Sequence, residues 1–232
     1  MDLWKTLLKK PFGEKSNMKI AKGSISWILT TFILGFFFLI LSLNLTPNIS
    51  ITFLLISFFL FLLTGFFLLF FRDPERNIGK KIVAPADGKI REISGIKDSE
   101  IGECTKISTF MNVYNVHVNR MPLDGTIKNI VHLPGAHLPA FKKESERNER
   151  VILTINTEVG IVKIIQIAGT LARRIMPYVK KGDKLKKGEK IGIIRLGSRV
   201  DIYIPSKKIK TVNVKIGDMI KAGVNTIAEI ND

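Results

Sequence analysis

Cysteine is almost absent from this chain, and histidine is nearly as rare. The 232 residues contain a single cysteine, Cys104, and only three histidines. One thiol excludes an internal disulfide, and the scattered histidines lack the spacing of a zinc site. We therefore expect no metal centre, and we interpret Cys104 as an ordinary buried or half-buried thiol.

Charge is also absent from residues 25–71, which hold 12 of the 15 phenylalanines. Two uncharged runs, Ile25–Leu45 and Ile49–Phe71, contain 21 and 23 residues, and each is long enough to cross a hydrocarbon core about 30 Å thick. Residues 46–48 predict a tight turn, so we expect a two-helix transmembrane hairpin. A signal peptide explains the first run less well, because two runs follow in tandem without a small-residue cleavage site. A buried core hairpin is the other alternative.

Acidic side chains are the minority in this chain, whose formal net charge is +16. Such a charge attracts an anionic partner, and because no nucleic-acid recognition motif accompanies it, we expect anionic phospholipid and no nucleic acid. The hairpin turn has no basic residue, whereas basic residues flank both of its ends. The positive-inside rule therefore predicts a basic cytoplasmic N-terminus over residues 1–24 and places residues 72–232 at the cytoplasmic face of the cell membrane. The flanking residues are Lys5, Lys9, Lys10, Lys15, Lys19, Lys22, Arg72, Arg76, Lys80 and Lys81.

Long amphipathic helices are missing after residue 82. Short β-branched runs alternate there with Asp-Gly and Gly-Asp turns. We expect a mainly β domain over residues 72–232, built as a β-sandwich or barrel-sandwich hybrid, with one helix at Ala168–Tyr178. The predicted strands are residues 81–83, Glu103–Phe110, Val151–Asn156, Ile161–Ala168, Lys190–Arg195, Val200–Ile204 and Lys210–Val214.

Two short patterns each occur twice. Pro-x-Asp-Gly-x-Ile occupies residues 85–90 and 122–127, and a longer pattern beginning Val-Lys-x-Gly-Asp occupies residues 179–188 and 214–223. The longer pattern resembles the hairpins of lipoyl and biotinyl carrier domains, which predicts duplicated hairpins in the fold. It also supports an alternative function, a non-enzymatic membrane-tethered adaptor of the lipoyl or biotinyl type, although no lysine occupies a carrier-type turn.

Three stretches hold residues that packing alone explains poorly: Ala84–Gly88, Phe110–Pro122 and Leu196–Pro205. They combine with Phe-Arg-Asp-Pro-x-Arg at residues 71–76, Asn-Glu-Arg at 148–150 and Gln-Ile-Ala-Gly-x-x-Ala-Arg-Arg-Ile at 166–175. In this order the six motifs resemble the phosphatidylserine decarboxylase family in its short form, over nearly all of residues 71–205. A short form with a two-span anchor is also similar to archaeal members, whose substrate is archaetidylserine.

The resemblance implies a proenzyme that cuts itself between Gly197 and Ser198. In such a step the Ser198 hydroxyl attacks the carbonyl of Gly197, which can be approached closely because glycine has no Cβ. Ser198 then becomes the covalent pyruvoyl cofactor at the start of a small chain, residues 198–232, which stays paired with the large chain, residues 1–197. An ordinary turn before a strand is the plainer interpretation of this Gly-Ser pair.

The resemblance further implies an Asp-His-Ser set. We assign His117 as the base that activates Ser198 and Asp87 as the carboxylate that orients the imidazole. Asp124 lies in the second copy of the same repeat and competes for that role. Longer bacterial members have a second histidine where this chain has Arg120, so either His117 serves both maturation and turnover or Arg120 supplies part of the charge.

For turnover, the resemblance implies that the ketone condenses with the amine of a serine-headed phospholipid and accepts electrons from the departing carboxylate. The products are CO2 and the ethanolamine-headed lipid. Arg150, Arg173 and Arg174 are candidates for binding the lipid phosphate or carboxylate, since a guanidinium matches both, and a solvated basic face is the alternative. Ester and ether lipids both remain open as substrates, and a homo-oligomer is compatible with the resemblance.

Overall fold

The computed structural model describes residues 14–136, 147–169, 174–195 and 198–231. By its contacts the chain forms two compact units. One runs from Met18 to Asp73, and the other comprises the described residues before Met18 together with the described residues from Pro74 onward.

Two apolar helices make up most of the smaller unit, α1 at Ile25–Ser42 and α2 at Pro47–Phe70. Both are long and apolar enough to cross a membrane, so the two predicted helices are confirmed, with α1 ending three residues earlier than the uncharged run. Small polar groups join the helices: Ser57 Oγ donates to the carbonyl of Gly35 at 2.8 Å, and Thr64 Oγ1 donates to Thr31 Oγ1 at 2.9 Å. Such contacts suit helix pairs in an apolar medium.

Sixteen strands are defined among the described residues. They are β1 (Glu14–Ile20), β2 (Arg72–Arg76), β3 (Ile82–Val83), β4 (Gly88–Asp98), β5 (Gly102–Met111), β6 (Val118–Arg120), β7 (Gly125–Leu133), β8 (Arg150–Thr157), β9 (Gly160–Ala168), β10 (Ile175–Pro177), β11 (Lys184–Leu185), β12 (Lys190–Ile194), β13 (Ser198–Pro205), β14 (Ile209–Val212), β15 (Met219–Ile220) and β16 (Thr226–Ile230). A 3-10 turn follows β13 at Ser206–Lys208. The mainly β fold and all seven predicted strands are confirmed.

One curled antiparallel sheet of eight strands has the order β11-β7-β8-β9-β13-β5-β4-β15. Two three-stranded sheets, β10-β12-β6 and β14-β16-β3, contribute buried residues to its two hydrophobic cores. The first core includes Met111, Leu153, Ile191 and Val200. The second includes Ile82, Ile107, Ile202 and Ile227. Both cores lie on the same side of β13, because Val200 and Ile202 alternate with Arg199 and Asp201.

The strand order is symmetric about the β9–β13 pair, and the residue pairings and register shifts on the two sides are equivalent. Residues 125–126 pair with β11 just as residues 88–89 pair with β15. The register of β7 on β8 shifts after Ile127, and that of β4 on β5 shifts at the equivalent Ile90. The duplicated hairpins predicted from the repeats are therefore confirmed, as two copies of one β unit.

One copy is inserted in the other. The inner copy consists of β6 to β12, and the outer copy consists of β3 to β5 followed by β13 to β16. In the inner copy a short turn joins β8 to β9, whereas in the outer copy the whole inner copy separates β5 from β13. Ser198 therefore opens the strand at which the chain returns to the outer copy.

The helix predicted at Ala168–Tyr178 is wrong for the residues described there. Ala168 ends β9, and Ile175–Pro177 forms β10, which pairs with β12 through Ile194, Ile193 and Gly192. β10 is an edge strand, where proline is tolerated because no neighbour requires its missing N–H. Residues 170–173 lie outside the described part of the chain.

Candidate active site

Ser198 is the first residue of β13 and is completely buried. β13 lies between β5 and β9, so that Ser198 is in register with Met111 on one side and Ala168 on the other. Its hydroxyl donates to the sulfur of Met111 at 3.3 Å. Gly197, the predicted partner of Ser198 in the cut peptide bond, lies outside the described residues.

His117 is also completely buried, directly before β6. Its Nδ1 lies 2.9 Å from the carbonyl oxygen of Asn115. A carbonyl only accepts, so in the neutral imidazole Nδ1 carries the proton and Nε2 carries the lone pair. The carbonyl of His117 accepts from the amide of Ile194 at 3.3 Å, which ties His117 to the strand that leads towards Ser198.

A buried amide bridge links the strand that follows His117 to Met111, the hydrogen-bond partner of Ser198. Asn119 follows His117 by two residues, and its Nδ2 lies 3.8 Å from the Met111 sulfur that binds Ser198. Gln166 on β9 donates from Nε2 to Oδ1 of Asn119 at 2.7 Å. The bridge needs Gly192, because a Cβ there would lie 3.1 Å from Gln166 Nε2 and 2.8 Å from the carbonyl oxygen of Met176. Sequence reasoning missed Asn119 and Gln166, although both stand in the quoted motifs.

Asp87 is buried and is bound by Arg76 and not by His117. The Arg76 guanidinium holds both carboxylate oxygens, with Nη2 at 2.9 Å from Oδ2, and Nη1 also donates to the carbonyl of Ala222 at 2.9 Å. The amide of Ala222 donates back to Asp87 at 2.8 Å. Among the described residues, the predicted Asp87–His117 hydrogen bond is therefore replaced by a clamp that joins residues 76, 87 and 222.

Asp124, the competing carboxylate, is exposed. It accepts from the amide of Lys187 at 2.8 Å and from the Lys186 ammonium at 2.9 Å. The backbone hydrogen bond from Lys187 lowers the pKa of Asp124, with Lys186 adding to the effect. These contacts anchor the hairpin that contains Lys186 and Lys187.

Arg120 uses its guanidinium for backbone contacts. It donates to the carbonyls of Pro74 at 2.9 Å and of Gly188 at 3.0 Å, and it is buried. As the neighbour of Asn119 in β6, its side chain points to the opposite face of that strand. Arg120 therefore packs away from the buried amide bridge, which does not favour a shared catalytic charge with His117.

The Asn-Glu-Arg motif lies beside Ala168, the residue opposite Ser198. Asn148 is buried and donates to the carbonyl of Ala168 at 2.7 Å, while the amide of Ala168 donates to the carbonyl of Glu149 at 2.9 Å. Arg150 is half-buried at the start of β8, and Arg174 is exposed. The third candidate for lipid binding, Arg173, lies outside the described residues.

Charged residues lie on the opposite side of β13. Arg199 Nη2 donates to Asp201 Oδ2 at 2.9 Å, and both residues are buried. Burial raises the pKa of Asp201, and the charge of Arg199 only partly opposes this effect. These residues support the strand from behind, since their side chains alternate with those on the Ser198 side.

A completely buried serine at the first residue of a central strand, in a fold that also buries His117 completely, defines the chain as a β protein with a candidate nucleophile. The family model described as phosphatidylserine decarboxylase matches residues 63–228. A phosphatidylserine decarboxylase proenzyme of Streptomyces avermitilis is 50% identical over 159 residues, covering 68% of this chain and 71% of that protein. A protein of Methanococcoides burtonii, provisionally named archaetidylserine decarboxylase proenzyme, is 43% identical over 213 residues, covering 90% of this chain and 96% of that protein. A similarly named protein of Methanosarcina barkeri is 40% identical over 216 residues, with 91% and 98% covered.

The chain belongs to the phosphatidylserine decarboxylase family. Membership confirms the enzyme class predicted from the six motifs, a decarboxylase with proenzyme relatives. It does not favour the alternative of a non-enzymatic adaptor, although the duplicated hairpins that suggested this alternative are real features of the fold.

Proposed function

We propose that this chain is a membrane-anchored proenzyme that cuts itself before Ser198 and then decarboxylates a serine-headed phospholipid. One observation carries the proposal: Ser198 is a buried serine at the first residue of a strand that is paired on both sides. Such a serine is held firmly on its C-terminal side, so its hydroxyl has few orientations, which supports a role as the nucleophile in an attack on the adjoining peptide bond.

The cleavage step begins with transfer of the Ser198 hydroxyl proton to Nε2 of His117. For this the hydroxyl turns away from the Met111 sulfur, which is a weak acceptor and therefore releases it easily. Ser198 Oγ bonds to the Gly197 carbonyl carbon, the bond from that carbon to the Ser198 nitrogen breaks, and His117 returns the proton to the nitrogen. The result is an ester with a free amine.

Elimination completes the maturation. The Ser198 Cα loses a proton and the Cβ–Oγ bond breaks. Oγ leaves as part of the Gly197 carboxylate, and residue 198 becomes a dehydroalanine. Water then replaces the nitrogen, which departs as ammonia, and a ketone remains. In this assignment Asn115 fixes the imidazole tautomer, and the clamp of Arg76 with Asp87 holds the surrounding backbone.

The residues around Ser198 fit a pyruvoyl group. Its strand partners Met111 and Ala168, and Val200 two residues further along β13, are apolar and have no side-chain amine that would react with a ketone. When formed, the group supplies an electron sink for decarboxylation. Burial of the site would exclude water during decarboxylation, and we assign His117 as the group that would supply the proton replacing CO2 on the substrate carbon.

We propose that the substrate is phosphatidylserine or archaetidylserine, since the reacting serine head group is common to both. The long match to archaeal-type relatives supports the ether lipid. Arg150, Arg173 and Arg174 are the proposed contacts of the lipid phosphate, because they lie in or beside the motifs near Ala168. A guanidinium binds phosphate oxygens in pairs.

The two chains produced by the cut are expected to remain together. β13 pairs with β5 and β9, β15 pairs with β4, and β16 pairs with β3, so every sheet of the small chain includes strands of the large chain. The basic residues that flank the helices support an orientation in which this assembly faces the cytoplasm.

The test compares Ser198→Ala with Ser206→Ala in the full chain. Ser206 directly follows the same strand and hydrogen-bonds to Thr105, so it controls for loss of a hydroxyl. We expect Ser198→Ala to remain one uncut chain that releases no CO2 from a serine-headed lipid, whereas Ser206→Ala matures normally. Cleavage and activity in Ser198→Ala would contradict the proposal.

A further inference from the structure

The hairpin tip at residues 215–219 carries two exposed apolar side chains. Ile216 is 66% exposed and Met219 is 62% exposed. Single exposed apolar residues are ordinary on protein surfaces, so the question is whether the fold requires these two.

The inner copy of the duplicated unit shows that the fold does not require them. Its equivalent hairpin has Lys181 and Lys184 at the two positions, both exposed. The two hairpins make equivalent backbone hydrogen bonds. The amide of Gly217 donates to the carbonyl of Ile90 at 2.9 Å, and the amide of Gly182 donates to the carbonyl of Ile127 at 2.8 Å. The φ angles of these two glycines are 102° and 92°.

Asp218 and Asp183 close the two tips in the same way. Each accepts from the amide three residues before it, Lys215 and Lys180, at 2.8 Å. The same backbone conformation carries lysines in the inner copy and apolar residues in the outer copy. The requirements of folding therefore do not explain the apolar pair.

The apolar tip lies at the same end of the large sheet as Ser198. A row of paired residues runs across the sheet from Met219 through Lys89 and Phe110 to Arg199. This row therefore crosses the sheet one residue away from Ser198.

A second exposed apolar pair follows Phe110 at the same end. Val113 is 40% exposed and Tyr114 is 73% exposed. They form the tip of a closed turn in which the amide of Asn115 donates to Asn112 at 2.9 Å and the amide of Asn112 donates to Asn115 Oδ1 at 2.7 Å. The same turn supplies the carbonyl that fixes His117.

We propose that Val113, Tyr114, Ile216 and Met219, here called the apolar rim, contact the lipid interface of an anionic membrane. The inference rests on the proposed function, because a lipid head group must reach Ser198 while its chains stay in the bilayer. Tyrosine suits the boundary between head groups and chains. Lys89 and Lys215 beside the rim attract anionic head groups.

The first experiment measures contact directly in the full chain reconstituted into vesicles of serine-headed and neutral phospholipids. Met219→Cys and Tyr114→Cys are labelled with an environment-sensitive fluorophore in a Cys104→Ser background. The matched control is Lys184→Cys, which occupies the position of Met219 in the inner copy. Quenching is measured with lipids that carry a nitroxide on the acyl chain.

We expect acyl-chain nitroxides to quench labels at positions 219 and 114 at least threefold more strongly than the label at position 184. Equal quenching at positions 219 and 184 would overturn the proposal. The decarboxylase assignment is judged separately, by whether the unlabelled wild-type chain matures and releases CO2.

The second experiment replaces the rim residues by those of the other copy, in the double variant Ile216→Lys, Met219→Lys. We expect unchanged self-cleavage, about a tenfold rise in KM for serine lipid in neutral vesicles, and a change under twofold for a short-chain monomeric serine lipid. The reciprocal variant Lys181→Ile, Lys184→Met is the control and should leave both KM values unchanged. A double variant with wild-type KM in vesicles would overturn the proposal, and one that failed to mature would show that the tip serves folding instead.

Discussion

Asp87 and Asp124 occupy the same place in the two copies of one β unit. The amide of Ala222 donates to Asp87 and the amide of Lys187 donates to Asp124, at 2.8 Å in both cases. The shared bond anchors a hairpin, so it does not indicate catalysis. Only Asp87 is buried and bound by an arginine, which makes the pairing with Arg76 its distinctive feature.

Replacing Arg76 by glutamine should weaken the protein strongly. The variant leaves the Asp87 carboxylate buried without its partner charge, and breaking a buried pair in this way costs about 3–5 kcal/mol. We expect chemical unfolding of the full chain in detergent to show a loss of that size, with uncut chain accumulating on a denaturing gel. Asp124→Asn, which removes an exposed pairing, should cost less than about 1 kcal/mol. Equal losses in the two variants would show that the clamp has no special role.

Removing the imidazole of His117 should slow maturation. The His117→Ala variant lacks the base that receives the Ser198 proton, and a positioned base is worth about 10²–10⁴-fold in rate. The time course of chain separation on a gel measures this loss. His132→Ala is the control, since His132 pairs with Glu149 on a half-exposed surface. Cleavage of His117→Ala at the wild-type rate would remove His117 from the first step.

The bridge between Asn119 and Gln166 should position the strand of His117 as well as stabilise the fold. Gln166→Ala leaves the buried amide oxygen of Asn119 without the donor that Gln166 supplies, which should cost about 1–3 kcal/mol. Replacing both residues by leucine removes both polar groups, so stability should return while maturation stays at least tenfold slow. Thermal unfolding and the cleavage time course separate the two effects. A double variant that matures normally would reduce the bridge to a structural contact.

Asp201 should make stability depend on pH. Burial raises the pKa of its carboxyl, so the folded chain holds this proton to a higher pH than the unfolded chain does. The contribution of Asp201 to stability is therefore complete below the ordinary aspartate pKa of about 4. It is lost as pH rises through the raised pKa of the folded chain. We expect Asp201→Asn to gain stability relative to wild type as pH increases, measured as thermal midpoints in detergent. A difference independent of pH would contradict the raised pKa.

The sequence predicted the helices best, because an uncharged apolar run of more than 20 residues is typical of membrane-spanning helices and rare elsewhere. Strands that pair in the centre of the large sheet, such as β5, β8, β9 and β13, were also predicted from their β-branched residues. The two-residue edge strands β11 and β15 were missed, because periodicity seldom detects elements of that length. The longer strands β4 and β7 were also missed.

The site was only partly predictable. Ser198 and His117 follow from the motif resemblance, and the structure places both in the core. Arg76 as the partner of Asp87, and Gln166 as the partner of Asn119, depend on strand pairings between residues far apart in the chain, which a single sequence does not contain. The helix predicted before Tyr178 failed because Ile175 and Met176 pair with β12 and so take part in a sheet.

The mass of the purified wild-type protein under denaturing conditions tests self-cleavage before Ser198 most directly. We predict two chains, one ending at Gly197 and the other beginning at position 198, where a ketone oxygen replaces the serine amine and a methyl group replaces the hydroxymethyl group. The small chain should react with a hydrazine and resist sequencing from its N-terminus. A single intact chain that retains an unmodified Ser198 and still releases CO2 from a serine-headed lipid would contradict the proposed mechanism.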